Sequence, residues 1–200
     1  MSLPQTMFQI TGRGHAPANL ATATLLIIDA QEEYRCGALA LPGLDAALSE
    51  VVQLLEAARA IDANIIHIRH LGVPGGILDP RGPRGNHLPE AAPLNGEIVV
   101  EKRLPNAFAD TDLHEQLQNL GSLDLIVCGF MTHSSVSTTV RAAKDYGYRC
   151  TVVDAACATR DLPAPDGTVV SAEQMHRLEM VALADNFATL VPNARTLLKI

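Results

Sequence analysis

Short continuous apolar runs alternate with stretches of helical periodicity along nearly the whole chain, and few architectures accept that order. Leu25-Leu26-Ile27-Ile28 ends at Asp29; an unbroken apolar run of that length suits a strand buried on both faces of a parallel sheet. After Pro42 and Gly43, the residues Leu44, Leu48, Val51, Val52 and Leu55 recur at helical spacing, which predicts a helix to about Ile61. Further strands are predicted at 65–68, 98–100, 125–128, 150–153 and 188–191. A helix is expected over Leu113, Leu117 and Leu120, capped by Asp110 or Thr111 and stopped by Gly121. Another carries Val136, Val140 and Ala143 and ends at Gly147, and a last one opens at a Ser171/Gln174 capping box and runs to about Ala184. Strands that alternate with helices need crossover connections, so they lie parallel. The expected fold class is α/β: a three-layer α/β/α, Rossmann-like domain with a mainly parallel six-stranded sheet, one domain over 1–200 with 1–20 as an N-terminal extension.

Composition narrows the function classes. With 48% hydrophobic and 18% charged residues the chain is globular. Its 15 Lys+Arg against 22 Asp+Glu give a net charge of -7, which argues against affinity built on nucleic-acid phosphates. The absence of Trp and the 4% aromatic content disfavour a base-stacking surface. No apolar run reaches the ~18 residues of a membrane span, and Met1 to Leu20 has no signal-peptide core. Cys36, Cys128, Cys150 and Cys157 are scattered and form no CxxC, which suits free thiols in a reducing compartment. The expectation is a cytoplasmic protein that handles a small-molecule substrate, with neither nucleic acid nor membrane as partner.

In parallel α/β sheets the ligand site lies beyond the carboxyl ends of the strands. That rule selects Asp29 and Gln31 after the first run, Arg69 and His70 after the second, Glu101 and Lys102 after the third, Gly129 to Ser135 after the fourth and Asp154 after the fifth. Each alone has an ordinary structural reading: a cap, a solvated lysine, a helix-start serine. The connection 71–97 holds 11 Gly or Pro among its 27 residues, and a linker of that length inside a compact domain usually serves a site as lid or pocket wall.

Three blocks in order carry a family resemblance. They are Leu26-Ile27-Ile28-Asp29-Ala30-Gln31; Glu101-Lys102-Arg103-Leu104-Pro105-Asn106-Ala107-Phe108 with Thr111-Asp112-Leu113; and Gly129-Phe130-Met131-Thr132-His133-Ser134-Ser135-Val136, continuing through Thr139. From Leu25 to about Val191 the chain resembles the isochorismatase-like (cysteine) hydrolases. The resemblance implies Asp29 as general acid/base, Lys102 as its cationic partner and the nucleophile at position 135. It also implies a cis peptide at Phe130 and Met131, which shapes an oxyanion hole from the backbone N–H groups of Met131 and Ser135. Gln31 and Phe108 would line the substrate pocket, His70 could face it, and His133 could touch the substrate or a neighbouring subunit. No cofactor is implied, and the family favours a homo-oligomer, dimer or tetramer.

The departure is Ser135, where these hydrolases carry cysteine. A thiol has a pKa that a lysine and a helix N-terminus can lower, whereas a hydroxyl needs a well-placed base. Three explanations stand: an engineered Cys-to-Ser change, a natural serine nucleophile, or a branch that hydrolyses the vinyl ether of isochorismate with Asp29 as acid and no thiol. Three functions are compatible with them: cleavage of a C–N bond in a small amide-type substrate, vinyl-ether hydrolysis, or binding without catalysis. His67 and His70 lie three apart on a strand and so point to opposite faces, which leaves no metal site expected. Cys128 precedes Gly129 inside a strand and reads as a buried small hydrophobe.

Overall fold

The computed structural model describes residues 3–199. Its strands are β1 (Thr24–Ile28), β2 (Asn64–His70), β3 (Ile98–Lys102), β4 (Asp124–Phe130), β5 (Arg149–Ala158), β6 (Leu162–Pro163), β7 (Val169–Val170) and β8 (Ala188–Val191). Its α-helices are α1 (Met7–Thr11), α2 (Glu33–Cys36), α3 (Leu44–Ala60), α4 (Leu113–Asn119), α5 (Ser137–Asp145), α6 (Ala172–Asn186) and α7 (Ala194–Leu198). Six strands form one sheet in the order β3-β2-β1-β4-β5-β8, every neighbouring pair parallel. The mainly parallel sheet expected from the apolar runs is therefore all-parallel, and β6 and β7 form a separate antiparallel hairpin.

Alternate side chains of each central strand feed two cores. Leu25, Ile27, Cys128 and Val153 pack with α3 on one face, and Leu26, Ile28, Val127 and Val152 pack with α4, α5 and α6 on the other. Because both faces are covered, all five residues of β1 are buried. The chain winds outward from β1 through β2 to β3, then returns to the centre at β4 and winds the other way. The switch point falls between β1 and β4, where Asp29 and the residues after Phe130 emerge side by side.

Several boundaries differ from the expectation, each for a physical reason. Helix α4 starts at Leu113 with Asp112 as its N-cap, not Asp110 or Thr111. The Thr111 hydroxyl donates back to the Ala107 carbonyl at 2.6 Å while accepting the Leu113 N–H at 3.2 Å, so it closes the preceding turn as well as supporting the helix start. Strand β5 continues to Ala158 because the ladder shifts register between Val127 and Gly129 and resumes at Gly129↔Cys157; Asp154 thus lies within the strand. His70 and Lys102 are the last residues of β2 and β3 instead of lying beyond them. The capping box at α6 forms, with the Gln174 N–H donating to Ser171 Oγ and the Ser171 N–H to Gln174 Oε1, both at 3.2 Å. Short elements escaped the pattern, including α1 inside the extension, which has its own Thr6/Gln9 box.

Residues 71–97 form no long element, yet the segment is packed. Leu78, Leu88 and Ala91 are buried, the Leu88 N–H donates to the Ala30 carbonyl at 2.8 Å, and single 3-10 turns occupy 83–85 and 89–91.

Candidate active site

The carboxyl ends of β1, β3 and β4 bring Asp29, Lys102 and Ser135 together. Asp29 leaves β1 with a φ of 51°, a left-handed conformation that Asp tolerates better than most residues, while its N–H still donates to the Ile68 carbonyl at 3.0 Å. The Lys102 Nζ lies 2.7 Å from Asp29 Oδ2 and 3.0 Å from Ser135 Oγ. Relative exposures are 0% for Asp29, 1% for Lys102 and 5% for Ser135, so the ion pair is screened from bulk water. His70, the ladder neighbour of Lys102, places its Nδ1 3.1 Å from the same Nζ. An ammonium has three N–H donors and no acceptor, so Asp29, Ser135 and His70 account for all three. His70 Nδ1 therefore accepts, which assigns the imidazole proton to Nε2. Burial and then the Lys102 charge push the His70 pKa below its ordinary value, against the pull of Asp29. The second carboxylate oxygen, Asp29 Oδ1, is buried without a hydrogen-bond partner among the described residues.

Position 135 is aimed by the backbone at and beyond the end of β4. Gly129 has a φ of +116°, and a Cβ there would stand 2.1 Å from the Ile28 carbonyl oxygen, so only glycine allows β4 to approach the end of β1 this closely. The Phe130–Met131 peptide is cis. Residues Thr132–Val136 then form a single π-type turn that runs into α5, and the N–H groups of Ser134 and Val136 both donate to the Met131 carbonyl, at 3.0 and 3.2 Å. Wide turns of this kind recur at functional sites. Here the turn delivers Ser135 Oγ to Lys102.

The other sequence candidates each have fixed partners of their own. Gln31 is buried and its amide is fully engaged: Nε2 donates to the carbonyls of His70 and Gly85, both at 3.0 Å, and Oε1 accepts the His70 N–H at 2.8 Å. It ties β2 to the 71–97 segment. Phe108 is buried and stacks on Tyr146 at 4.9 Å and Tyr148 at 5.8 Å, held by the Ala107 N–H donating to Thr139 Oγ1 at 3.0 Å. His133 Nδ1 is hydrogen-bonded to Thr159 Oγ1, so that imidazole nitrogen is engaged with the residue just past β5. Burial, followed by the Arg160 charge, lowers the His133 pKa, while Glu179 pulls the other way.

The strongest omission from the sequence candidates is His176. Its Nε2 is 2.5 Å from Asp154 Oδ1 and its Nδ1 is 2.9 Å from Thr132 Oγ1. A signal was present: 176, 180 and 183 recur at helical spacing with Met180 and Leu183 buried, so a histidine falls on the inward face of α6. The cysteines are free, and burial raises Cys128 and Cys150 to about 12. His67 and His70 take separate partners, Glu97 and Lys102. No cluster of three or more His, Cys, Asp or Glu among the described residues is arranged to hold a metal ion, and no helix among them is long and apolar enough to cross a membrane.

This geometry can be set beside known proteins. A crystal structure of an isochorismatase from Pseudomonas putida KT2440 is 60% identical, with a TM-score of 0.92 over 95% of this chain and 97% of that one. The secreted isochorismatase effector Isc1 of Verticillium dahliae is 36% identical over 181 residues, 89% of this chain and 93% of its own. A streptothricin hydrolase of Streptomyces noursei is 36% identical over 173 residues, 85% of this chain and 68% of its own. Residues 23–195 match the family model for the isochorismatase domain, and on these likenesses the chain belongs to the isochorismatase family.

Proposed function

We propose that the chain hydrolyses the C–N bond of a small amide-type substrate, with position 135 as nucleophile, Asp29 as acid/base and Lys102 as electrostatic support. The observation that carries this reading is the single ammonium bonded to both Asp29 Oδ2 and Ser135 Oγ, with all three residues buried. Ser135 Oγ attacks the carbonyl carbon while its proton passes to Asp29, whose Oδ1 has no partner among the described residues and can take it. Lys102 stabilises the negative charge that develops on Oγ, an effect that burial strengthens. The backbone N–H groups of Met131 and Ser135 receive the tetrahedral oxyanion. The C–N bond then breaks as Asp29 returns the proton to the leaving amine. Water attacks the acyl ester and gives a proton to Asp29, which passes it to Ser135 Oγ as the acid departs.

A second reading, vinyl-ether hydrolysis with Asp29 as acid, draws on the P. putida protein, which is described as an isochorismatase. Assays of the parent and Ser135→Cys against small amides and isochorismate separate the two. A thiol with lowered pKa is the better nucleophile, so the amide reading expects Ser135→Cys to raise amide turnover by at least about tenfold. Isochorismate turnover that survives Ser135→Ala and is lost in Asp29→Asn transfers the assignment to the second reading. Proteins inert on both substrate classes point to binding without catalysis.

The same reading includes a homo-oligomer, supported by the apolar Leu178 and Val181 exposed on α6. It also includes a cytoplasmic setting, supported by the exposed free thiol of Cys36 and opposed by the secreted fungal relative.

A further inference from the structure

We propose that His176 and Glu179 of α6 are positioning residues that grip the nucleophile turn on both sides of Ser135 and hold it against Lys102; this rests on the amide-hydrolase reading above. His176 and Glu179 are three residues apart and therefore share a helix face. His176 Nδ1 meets Thr132 Oγ1 at 2.9 Å, at the first residue of the turn, and Glu179 Oε1 accepts from Ser137 Oγ, immediately past its last residue. Residue 135 lies between these two anchors.

Each anchor is itself fixed from behind. Asp154 Oδ1 is hydrogen-bonded to His176 Nε2 at 2.5 Å, which holds the imidazole from behind while its Nδ1 is hydrogen-bonded to Thr132 Oγ1. Arg141 Nη2 donates to Glu179 Oε1 at 2.9 Å and Arg141 Nε to Ser137 Oγ at 3.1 Å, closing a ring with α5. Neither His176 nor Glu179 touches Lys102 or Asp29 in the hydrogen-bond pattern, so both act through the turn. Bonds to charged groups are stronger than neutral ones and impose direction. The Ser135 Oγ to Lys102 distance of 3.0 Å is the quantity they would hold constant.

The test uses the Ser135→Cys background, where iodoacetamide labelling of residue 135, read by peptide mass spectrometry, reports thiolate formation beside Lys102 without any substrate. Adding His176→Leu or Glu179→Ala should slow labelling and lower amide kcat by about ten- to a hundredfold, the cost of misplacing a reacting group by about 1 Å. KM should change by less than about twofold. Glu179→Gln, which can still accept from Ser137 and Arg141, should restore most of the rate. A purely structural role for α6 would lower the melting temperature and leave the labelling rate of folded protein unchanged. Unchanged or faster labelling in Glu179→Ala overturns the proposal, and so does failure of Glu179→Gln to recover it. If Ser135→Cys itself resists labelling, the amide-hydrolase reading is what fails. Amide hydrogen exchange across 132–137 in the parent and Glu179→Ala then decides the grip, with faster exchange expected and no change counting against it.

Discussion

Strand β2 carries two histidines, His67 bonded to a carboxylate and His70 to a cation, and the two clusters they belong to have opposite character. On one side of the sheet His67 Nε2 meets Glu97 Oε2 at 2.8 Å; Glu97 also accepts from Arg59 at 2.7 and 2.9 Å and from the Leu94 N–H at 2.9 Å. On the other side Lys102 joins Asp29, His70 and the hydroxyl of Ser135, and Asp29 keeps an oxygen with no partner among the described residues. The Glu97 carboxylate is saturated by fixed donors and has nothing left to exchange. Asp29 is held from one side only and faces a group that can gain or lose a proton. Buried charge by itself does not mark chemistry; an unsaturated carboxylate beside a reactive hydroxyl does.

The largest expected effect tests the unsaturated side. Asp29→Asn removes the proton acceptor and should lower turnover by about 10²–10⁴-fold, the usual range for general acid/base groups. It also leaves Lys102 buried without its counter-charge, so the melting temperature should fall as well. Single-turnover rates on folded protein separate the two consequences. A loss of activity under about tenfold would place Asp29 with Glu97, as a structural anion.

The matching change on the saturated side is Glu97→Gln. Here kcat per folded molecule should be unchanged while stability falls by about 2 kcal/mol, less than for a fully buried pair because the Arg59 side chain is 24% exposed. For a chain of this size that is a drop of about 4–8 °C in melting temperature. The pH dependence has its origin in the same contacts. Burial pushes the Glu97 carboxyl up, but Arg59, the Leu94 N–H and His67 outweigh it and hold it at about 2. A depressed carboxylate stabilises the fold above its unfolded pKa of about 4.5, and that contribution is lost as pH falls toward 2. Urea titrations should show the parent losing stability across that window and Glu97→Gln losing less. An equal slope in both would show that the contacts of Glu97 do not govern its protonation.

These contrasts explain what the sequence could reveal. The apolar runs and their order predicted the sheet because burial on both faces requires such runs, and the capping box at Ser171 is a local signal with a local cause. That Asp29, Lys102 and Ser135 come together was legible through ordered motifs at or beyond strand ends, where a parallel sheet collects its ligands. The engagement of Gln31 was not legible, since whether an amide faces ligand or backbone depends on the path of 71–97. Nor was the pairing of His67 with Glu97, thirty residues apart, because no local period links them. His176 lay between these cases: its place on the inward face of α6 was readable, but its meeting with Thr132 needed the third dimension.

The smallest expected effect concerns His87, which belongs to neither cluster but touches the edge of the first. Its ring lies 6.0 Å from that of His67, and its residue forms an isolated bridge with Gln31. Burial first, then the charges of His67 and Arg69, lower its pKa to about 4. The unfolded chain takes up the proton near pH 6.5 and the folded chain only near 4, so stability falls as pH drops through that window. Partial exposure of the ring holds the effect to about 1 kcal/mol at pH 5. His87→Gln should therefore make the fall of the urea midpoint between about pH 6.5 and 4 shallower, leaving the share that the other lowered histidines, His67, His70 and His133, contribute, while keeping the loss below about 4.5 that Glu97 governs. Glu97→Gln should remove the lower-window loss and leave that of His87 in place. If His87→Gln instead flattened the lower window as well, the two groups would titrate as one unit, and the Glu97 cluster would extend through His87 to Gln31, which ties β2 to 71–97.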